Sequence, residues 1–154
     1  MIDKKDKKIL KELVKDGRKS FANLARSCKM TRQSIFSRIK SLKRRGIIED
    51  FTVELNQKKL GLNLRAYILI SSGISGESRE KTIQFLRRLP QTSQIHRLFG
   101  RFDFLIEVLV KDIAELSKIL EKIHELEIAI RTETMIVQKS MKYNLQHPIE
   151  TALK

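Results

Sequence analysis

The sequence predicts an α+β fold in two parts, a helical first third followed by a remainder in which strands and helices alternate. In the first part, apolar residues recur at the 3.6-residue period of a helix between residues that cap helices. In the second part, one face of the run 102–110 is apolar throughout, at Phe102, Phe104, Ile106, Val108 and Val110, as in a strand with one face in the core. A chain of 154 residues, 41% apolar, has room for two small domains with their own cores.

Capping signals divide the first part into helices. Asp3 is expected to cap a helix over about residues 4–15, which Gly17 ends; its buried stripe is Ile9, Leu10, Leu13 and Val14. Ser20 opens a short second helix whose inward residues are Leu24, Ala25 and Cys28. Only Lys29 and Met30 then precede the next cap, Thr31, and Met30 is placed to pack against Ile35. Two helices with so short a connection predict a helix-turn-helix.

The third helix, residues 31–45, is closed by Gly46 and has an apolar stripe of Ile35, Phe36, Ile39 and Leu42. Six of its fifteen residues are Lys or Arg and none is acidic. The strand-like run 47–55 follows it, so the first part is predicted to be a winged helix-turn-helix. This domain is expected to span residues 1–60. A linker, Asn56 to Asn63 around Gly61, breaks the periodicity and ends within residues 61–64.

The second part, residues 65–154, has the element order βαββαβ of the ferredoxin-like fold. Strands are expected at 65–72, 94–99, 102–110 and 128–138, with a turn at Gly100 and Arg101. Ser78 is expected to cap a helix carrying Ile83, Leu86 and Leu89 before Pro90, and Asp112 a helix carrying Ile113, Leu116, Leu120 and Ile123. The two helices cover one face of such a sheet. Because the other face also needs cover, we expect at least a dimer.

Several classes of protein are excluded by composition. The single Cys28 forms no disulfide framework and is expected to be a small buried hydrophobe. His96, His124 and His147 share no spacing suited to catalysis or zinc, so no metal, cofactor or enzymatic activity is expected. The chain has neither an apolar run of membrane-spanning length nor a signal-peptide pattern. We therefore expect a cytoplasmic protein that does not contact a membrane.

The charge of the chain points to a polyanionic partner. Of the net charge of +14, most lies in residues 1–60, which hold eighteen basic and seven acidic residues against fourteen and eleven in the rest. Charge alone does not choose between nucleic acid and an anionic membrane surface. The helix-turn-helix favours double-stranded DNA, and a dimer would bind a roughly palindromic operator with half-sites about 34–36 Å apart or a multiple of that.

The third helix is expected to enter the major groove of that DNA. Arg32 is suited to guanine and Gln33 to adenine through two-point hydrogen bonds. Ser34, Ser37 and Arg38 follow on the same side, behind the capping Thr31. The expected phosphate contacts are Arg26, Lys29, Lys40, Lys43, Arg44 and Arg45. For each residue the alternative is a solvated side chain or, for Arg38, a structural bond within the domain.

Seven short motifs, in order along the chain, resemble those of one family. They are residues 2–10 (IDKKDKKIL), 16–18 (DGR), 24–26 (LAR), 38–42 (RIKSL), 45–48 (RGII), 100–103 (GRFD) and 131–134 (RTET). Each is weak alone, but their order and spacing resemble the Lrp/AsnC (feast/famine) transcription regulators over nearly the whole chain. Members of that family are generally dimers that assemble into octamers or larger rings, and many bind an amino acid between dimers.

The resemblance carries the effector site onto particular residues. It implies a role for Gly100, Arg101, Phe102 and Asp103 in the loop, and for Thr132 and Thr134 in the last strand. Phe102 departs from the family, in which tyrosine is frequent, and so lacks one hydroxyl for a ligand. From the residues alone, Gly100 equally suits an ordinary hairpin turn capped by Asp103.

The sequence thus predicts a sequence-specific DNA-binding transcription regulator modulated by a small effector such as an amino acid. One alternative is an enzyme resembling the tetrapyrrole decarboxylases that share this architecture, although their histidine pattern is not evident here. The other is a non-specific nucleoid or RNA-binding protein, which would bind scrambled DNA or RNA equally well.

Overall fold

The computed structural model describes residues 2–72, 76–125, 129–141 and 146–153. It divides into two compact units, which are described separately. The first consists of Met1–Glu54 together with Met141–Lys154, and the second of Leu55–Ser140. This division differs from the predicted domains, 1–60 and 65–154, in two places: residues 55–60 belong to the second unit, and the C-terminal residues belong to the first.

The described residues of the first unit form four helices, α1 (Lys4–Lys15), α2 (Phe21–Cys28), α3 (Arg32–Arg44) and α6 (Gln146–Ala152). The three predicted N-caps are confirmed. Asp3 accepts from the Asp6 amide at 2.7 Å and forms a capping box with that residue. Ser20 and Thr31 accept from the amides three residues later, at 3.2 and 3.1 Å, and so satisfy donors that a helix start leaves without partners.

The core of the first unit lies between α1, α2 and α3 and includes the predicted stripe residues Ile9, Leu24, Ile35, Ile39 and Leu42. Cys28 is buried there, as expected. Leu153, after α6, is buried in the same core, which explains why the C-terminal residues belong to this unit. This packing joins the two ends of the chain, and the helical periodicity of the sequence does not predict it.

Two predictions for the first unit are wrong. Phe36 does not belong to the apolar stripe, because it is 48% exposed and lies about 100° around the helix from Ile35. Residues 47–55, all described, form no strand. Ile48 packs in the core, whereas Phe51 and Val53 are exposed. An alternating run becomes a strand only where another strand accepts its hydrogen bonds, and none pairs with these residues in the described part of the chain.

The second unit has the predicted βαββαβ order. Its elements are β1 (Leu64–Ser72), α4 (Gly76–Arg88), β2 (Thr92–Arg97), β3 (Phe104–Val110), α5 (Ile113–Glu125) and β4 (Ala129–Ile136). The strands form one antiparallel sheet in the order β2-β3-β1-β4. Asp112 caps α5 as predicted, since it accepts from the Glu115 amide at 2.8 Å. Helix α4 begins at Gly76, so Ser78 lies within it and is not its cap. Residue 128 of the predicted last strand lies outside the described residues.

One face of the sheet is packed against α4 and α5. Ile68 of β1 pairs in register with Ile106 of β3, and both are fully buried with Leu86 and Leu116 of the helices. Ile113 was predicted to join this core but is 63% exposed at the start of α5.

On the opposite face, two charged residues are held between half-buried apolar side chains. Glu107 is 5% exposed; its carboxylate lies 3.0 Å from Nε of Arg65 and accepts from Oγ of Ser93 at 2.9 Å. Tyr67 and Leu105 lie nearby on the same face, since side chains alternate along each strand. This face is therefore mixed, with a satisfied buried carboxylate between apolar side chains.

Candidate nucleic-acid interface and effector loop

The turn between α2 and α3 is made by three residues. Lys29 takes the left-handed conformation, with φ of 56°, and the Met30 amide donates to the Ala25 carbonyl at 2.9 Å. This bond satisfies a carbonyl at the end of α2, in the way that is common where a helix ends in a left-handed residue. Thr31 then caps α3, so the chain turns within three residues as the sequence predicted.

A basic groove lies along this turn. It is open, has a volume of about 670 Å³, and includes Arg26, Lys29 and Arg32 with Lys5 of α1. Thr31 and Ser34 line it as well, but Thr31 already accepts from the Ser34 amide. Four cations around the start of a helix form a favourable position for a phosphate, because the helix dipole adds to their attraction. Lys5 was not predicted; the groove brings it to residues that were.

The outward ridge of α3 presents one amide, one hydroxyl and two basic side chains to solvent. Gln33, Ser37, Lys40 and Arg44 are all exposed and follow one another at intervals of three or four residues, so they lie on one side of the helix. Lys43 is beside this ridge; its amino group lies 3.6 Å from Asp50 and 5.3 Å from the Phe51 ring centre. The ridge combines a two-point hydrogen-bonding amide with two cations, Lys40 and Arg44.

Arg38 is the predicted DNA-binding residue that the structure removes from this ridge. Its Nη1 lies 2.6 Å from Oδ2 of Asp3 and 2.7 Å from Oδ1 of Asp6. Asp6 is 5% exposed, and Arg45 of α3 approaches its other oxygen at 3.5 Å. Of the two interpretations the sequence allowed for Arg38, a structural bond within the domain is therefore the one observed.

The same cluster shifts two pKa values. The hydrogen bond from the Asp6 amide, followed by that from Arg38, lowers the pKa of Asp3. Hydrogen bonds to Asp3 and Asp6 raise the pKa of Arg38. Both shifts favour the charged forms of Asp3 and Arg38, and the ion pairs of Arg38 fix α3 to α1. Sequence reasoning missed Asp3 and Asp6 as partners of the helix, although two acids among Lys4, Lys5, Lys7 and Lys8 were the available signal.

The predicted effector loop lies at one end of the second unit's sheet. Gly100 has φ of 148°, a value that favours glycine. Asp103 closes the loop through its backbone, since its carbonyl accepts from the Leu98 amide at 2.8 Å and its amide donates to the Ile70 carbonyl at 2.9 Å. The Phe102 side chain is only 7% exposed, so it packs inward, whereas its neighbour Arg101 is exposed.

Arg131 of β4 lies at the same end of the sheet. Its guanidinium carbon is 5.8 Å from the centre of the Phe102 ring, and that of Arg101 is at the same distance. Two guanidiniums beside one buried ring form a cationic position at the loop. Arg131 was absent from the predicted site residues; its position opposite Ser71 in the sheet register brings it there.

The two threonines of the predicted effector site do not lie in the loop itself but on β4. Thr132 and Thr134 pair with Ile70 and Ile68, so they lie on the face covered by the helices. The hydroxyl of Thr132 is 2.8 Å from Nε2 of His124, which occupies it within the unit. The backbone of Thr132 is near the loop, and Thr134 lies two residues farther along β4.

The histidines form no common site in the described part of the chain. His96 is 3.0 Å from Gln94 and His124 contacts Thr132, while the side chain of His147 lies outside the described residues. Among those residues, no group of three His, Cys, Asp or Glu side chains is close enough to hold a metal ion. Within the same ranges, no helix is long and apolar enough to span a membrane.

These features define a class of protein: a transcriptional regulator that has a helix-turn-helix for DNA and a separate α+β domain for a ligand. The family model of winged helix-turn-helix DNA-binding domains matches residues 2–49, and that of the Lrp/AsnC ligand binding domain matches residues 65–146. The chain belongs to the Lrp/AsnC family.

Relatives and solved structures agree with this assignment. An uncharacterised HTH-type transcriptional regulator of Pyrococcus furiosus is 33% identical over 88% of this chain and 92% of its own. The regulator FL11 of the same organism is 30% identical over 97% and 98%. AsnC of Escherichia coli superposes with a TM-score of 0.86 at 26% identity, covering 93% of this chain and 96% of its own.

A fourth match shows the fold. A Neisseria meningitidis transcriptional regulator, solved as a complex with L-methionine, superposes with a TM-score of 0.91 over 99% of both chains at 24% identity.

Proposed function

We propose that this regulator recognises a specific sequence in double-stranded DNA through α3, with Arg32 and Gln33 at base edges and the basic groove on a phosphate. The observation that carries the proposal is the exposed ridge Gln33, Ser37, Lys40 and Arg44 beside that groove. Base edges specify sequence, whereas phosphate contacts position the protein. Arg38 is assigned to holding the helix and not to the DNA.

Selection of bound fragments from random duplexes tests this proposal. The full chain is expected to enrich one roughly palindromic motif whose half-sites are one helical turn, or a multiple, apart. Arg32→Ala with Gln33→Ala should abolish enrichment of that motif. Lys118→Ala on α5 removes one positive charge from the other unit, as the double variant does from α3, and is the control that should keep the motif. Enrichment of no motif by the unaltered chain would refute sequence-specific recognition.

The operator symmetry requires that the chain be at least a dimer. The face of the sheet opposite α4 and α5, with Tyr67, Leu69 and Leu105 half-buried on it, supports a second copy as its cover. Sedimentation equilibrium is expected to give a dimer or a multiple of it, such as an octamer. A monomer at micromolar concentration would contradict this part of the proposal.

The effector is proposed to be an amino acid bound beside the Gly100–Asp103 loop. Arg101 and Arg131 offer guanidiniums suited to a carboxylate, and Asp103 offers a carboxylate suited to an ammonium group. The ligand acts by linkage, because an effector that favours one arrangement of dimers changes how several DNA-binding units fit one operator. This supports a regulator whose DNA affinity depends on a metabolite.

Thermal unfolding in the presence of each of the twenty amino acids tests the effector. A ligand that binds the folded chain raises the midpoint, and the stabilisation grows with the logarithm of one plus the ligand concentration over Kd. L-methionine is the first probe, because the N. meningitidis regulator of the same fold binds it. Arg131→Ala should remove the shift, whereas Arg87→Ala, an exposed arginine of α4, should keep it. No shift with any amino acid would argue for another ligand class.

A further inference from the structure

Two aromatic rings of the DNA-binding unit are partly exposed and do not belong to its hydrophobic core. Phe36 of α3 is 48% exposed and Phe21, the first residue of α2, is 44% exposed. Their ring centroids are 6.0 Å apart at an interplanar angle of 76°. This edge-to-face geometry is a favourable one for aromatic pairs, so Phe21 fixes the direction of the Phe36 ring without burying it.

The surroundings of Phe36 are basic and polar. Arg32 and Gln33 precede it by four and three residues and Lys40 follows it by four, so all three are its neighbours on the helix surface. An apolar protein partner would have to cover these cations as well. The major groove of DNA offers both requirements at once, because phosphates lie beside the C5-methyl groups of thymines, the apolar feature of the base edges.

We propose that Phe36 is a specificity-determining residue that contacts a thymine methyl group in the major groove, and that Phe21 is the positioning residue for its ring. The inference rests on the proposed function, since it requires α3 to lie in the groove. It adds a thymine contact to the hydrogen-bonding residues Arg32 and Gln33. Because Gln33 is suited to adenine, the two neighbouring side chains together select A·T pairs at adjacent positions of the half-site.

Replacement of single thymines by deoxyuridine tests the contact, because it removes the methyl group and keeps every hydrogen bond of the base. Binding of the full chain to its selected operator is measured by fluorescence anisotropy, with one thymine of one half-site replaced at a time. At one position the replacement is expected to raise Kd about fourfold, the effect of losing one buried methyl-sized group. Phe36→Ala should bind the thymine and deoxyuridine duplexes equally well at that position.

Further variants separate a base contact from a structural effect. Phe21→Ala should reduce the methyl sensitivity to less than the wild-type value, because the ring of Phe36 loses its support. Phe51→Ala, an exposed phenylalanine outside α3 with 44% exposure, should keep the full sensitivity. Thermal unfolding of each variant verifies that it is folded at the assay temperature. Phe36→Gln, which removes the apolar ring but keeps a good helix former, replaces Phe36→Ala if that variant is not folded.

The outcomes distinguish this inference from the proposed function. If the unaltered chain selects an operator but no thymine is methyl-sensitive, or if Phe36→Ala keeps the same sensitivity, the thymine contact is wrong and sequence-specific binding stands. If the unaltered chain binds all sequences equally, the thymine contact and the proposed sequence-specific function are both wrong.

Discussion

The guanidinium of Arg38 on α3 lies 2.7 Å from the carboxylate of Asp6 on α1, and this pair joins the recognition helix to the first helix of the chain. Asp6 is buried, so its carboxylate oxygens need hydrogen-bond partners within the fold. The same guanidinium reaches Asp3, the cap of α1. The guanidinium at position 38 therefore fixes α3 against α1.

Arg38→Ala is expected to lower the free energy of unfolding by about 1–3 kcal/mol, because Asp6 would lose a charged hydrogen-bond donor while Arg45 remains near it. Urea denaturation measures this loss. Arg32→Ala, which removes an exposed arginine six residues earlier on the same helix, should change stability by no more than about 0.5 kcal/mol. Equal stability of the two variants, with DNA binding lost in the first, would instead make Arg38 a DNA contact.

Acid is expected to destabilise the fold partly through Asp3. Its pKa is lowered in the folded chain, first by the Asp6 amide and then by Arg38, so below about pH 4 the unfolded chain binds a proton that the folded chain resists. The stability that Asp3 supplies is present above its unfolded pKa and is lost as the pH falls through the lowered folded pKa.

Thermal unfolding between pH 6 and pH 3 checks this sign. Asp3→Asn keeps a good helix cap but has no carboxylate to protonate, so its midpoint should fall less steeply in acid than that of the unaltered chain. Glu12 and Glu115 also have lowered pKa values, through Lys19 and through the Lys111 amide respectively, and they act equally in both proteins. If the midpoints of the two proteins fall equally with pH, the lowered pKa of Asp3 does not contribute to the loss of stability in acid.

Local signals predicted most of the fold. The caps Asp3, Ser20, Thr31 and Asp112 and the alternation in β3 depend on neighbours in sequence, which is why they were found without a structure. Two features that the sequence did not predict depend on distant partners. The run 47–55 has no strand to pair with among the described residues, and Leu153 joins a core that also contains Ile9, from the opposite end of the chain.

The sequence predicted the type of the candidate site but not the role of each of its residues. Basic residues without neighbouring acids identified α3, because charge is visible in the sequence. Periodicity did not reveal that Arg38 turns toward Asp6, or that Phe36 is exposed, since a stripe one residue wider fits the same pattern. The proximity of Arg131 to Phe102 can be inferred only when the sheet register is known.

Gln33 and Arg44 are expected to contribute to DNA binding in different ways. Gln33→Ala should weaken operator binding by about 1–3 kcal/mol, relax the preference at one base pair and leave the salt dependence unchanged. Arg44→Ala should weaken binding to all sequences alike and reduce the slope of log K against log salt by about one. Anisotropy titrations at several salt concentrations measure both effects. A base preference altered only by Arg44→Ala would reverse these roles.

Lys29 combines a strained backbone with a charge in the basic groove. Its left-handed conformation costs about 1–2 kcal/mol for most residues and less for asparagine. Lys29→Asn should therefore leave the free energy of unfolding equal or higher, while DNA affinity falls and the salt slope drops by about one. Lys122→Asn on α5 is the control for loss of one charge. An unchanged salt slope in Lys29→Asn would show that this lysine does not meet a phosphate.

The central claim, that α3 reads a DNA sequence, is tested most directly by the affinity of the full chain for its selected operator and for a scrambled duplex of equal length and composition. The measurement is made at several salt concentrations, because phosphate contacts alone produce affinity without choice. We predict that the operator binds at least about a thousandfold more tightly near physiological salt, with affinity that falls steeply as salt rises. Equal affinity for the two duplexes would contradict the account.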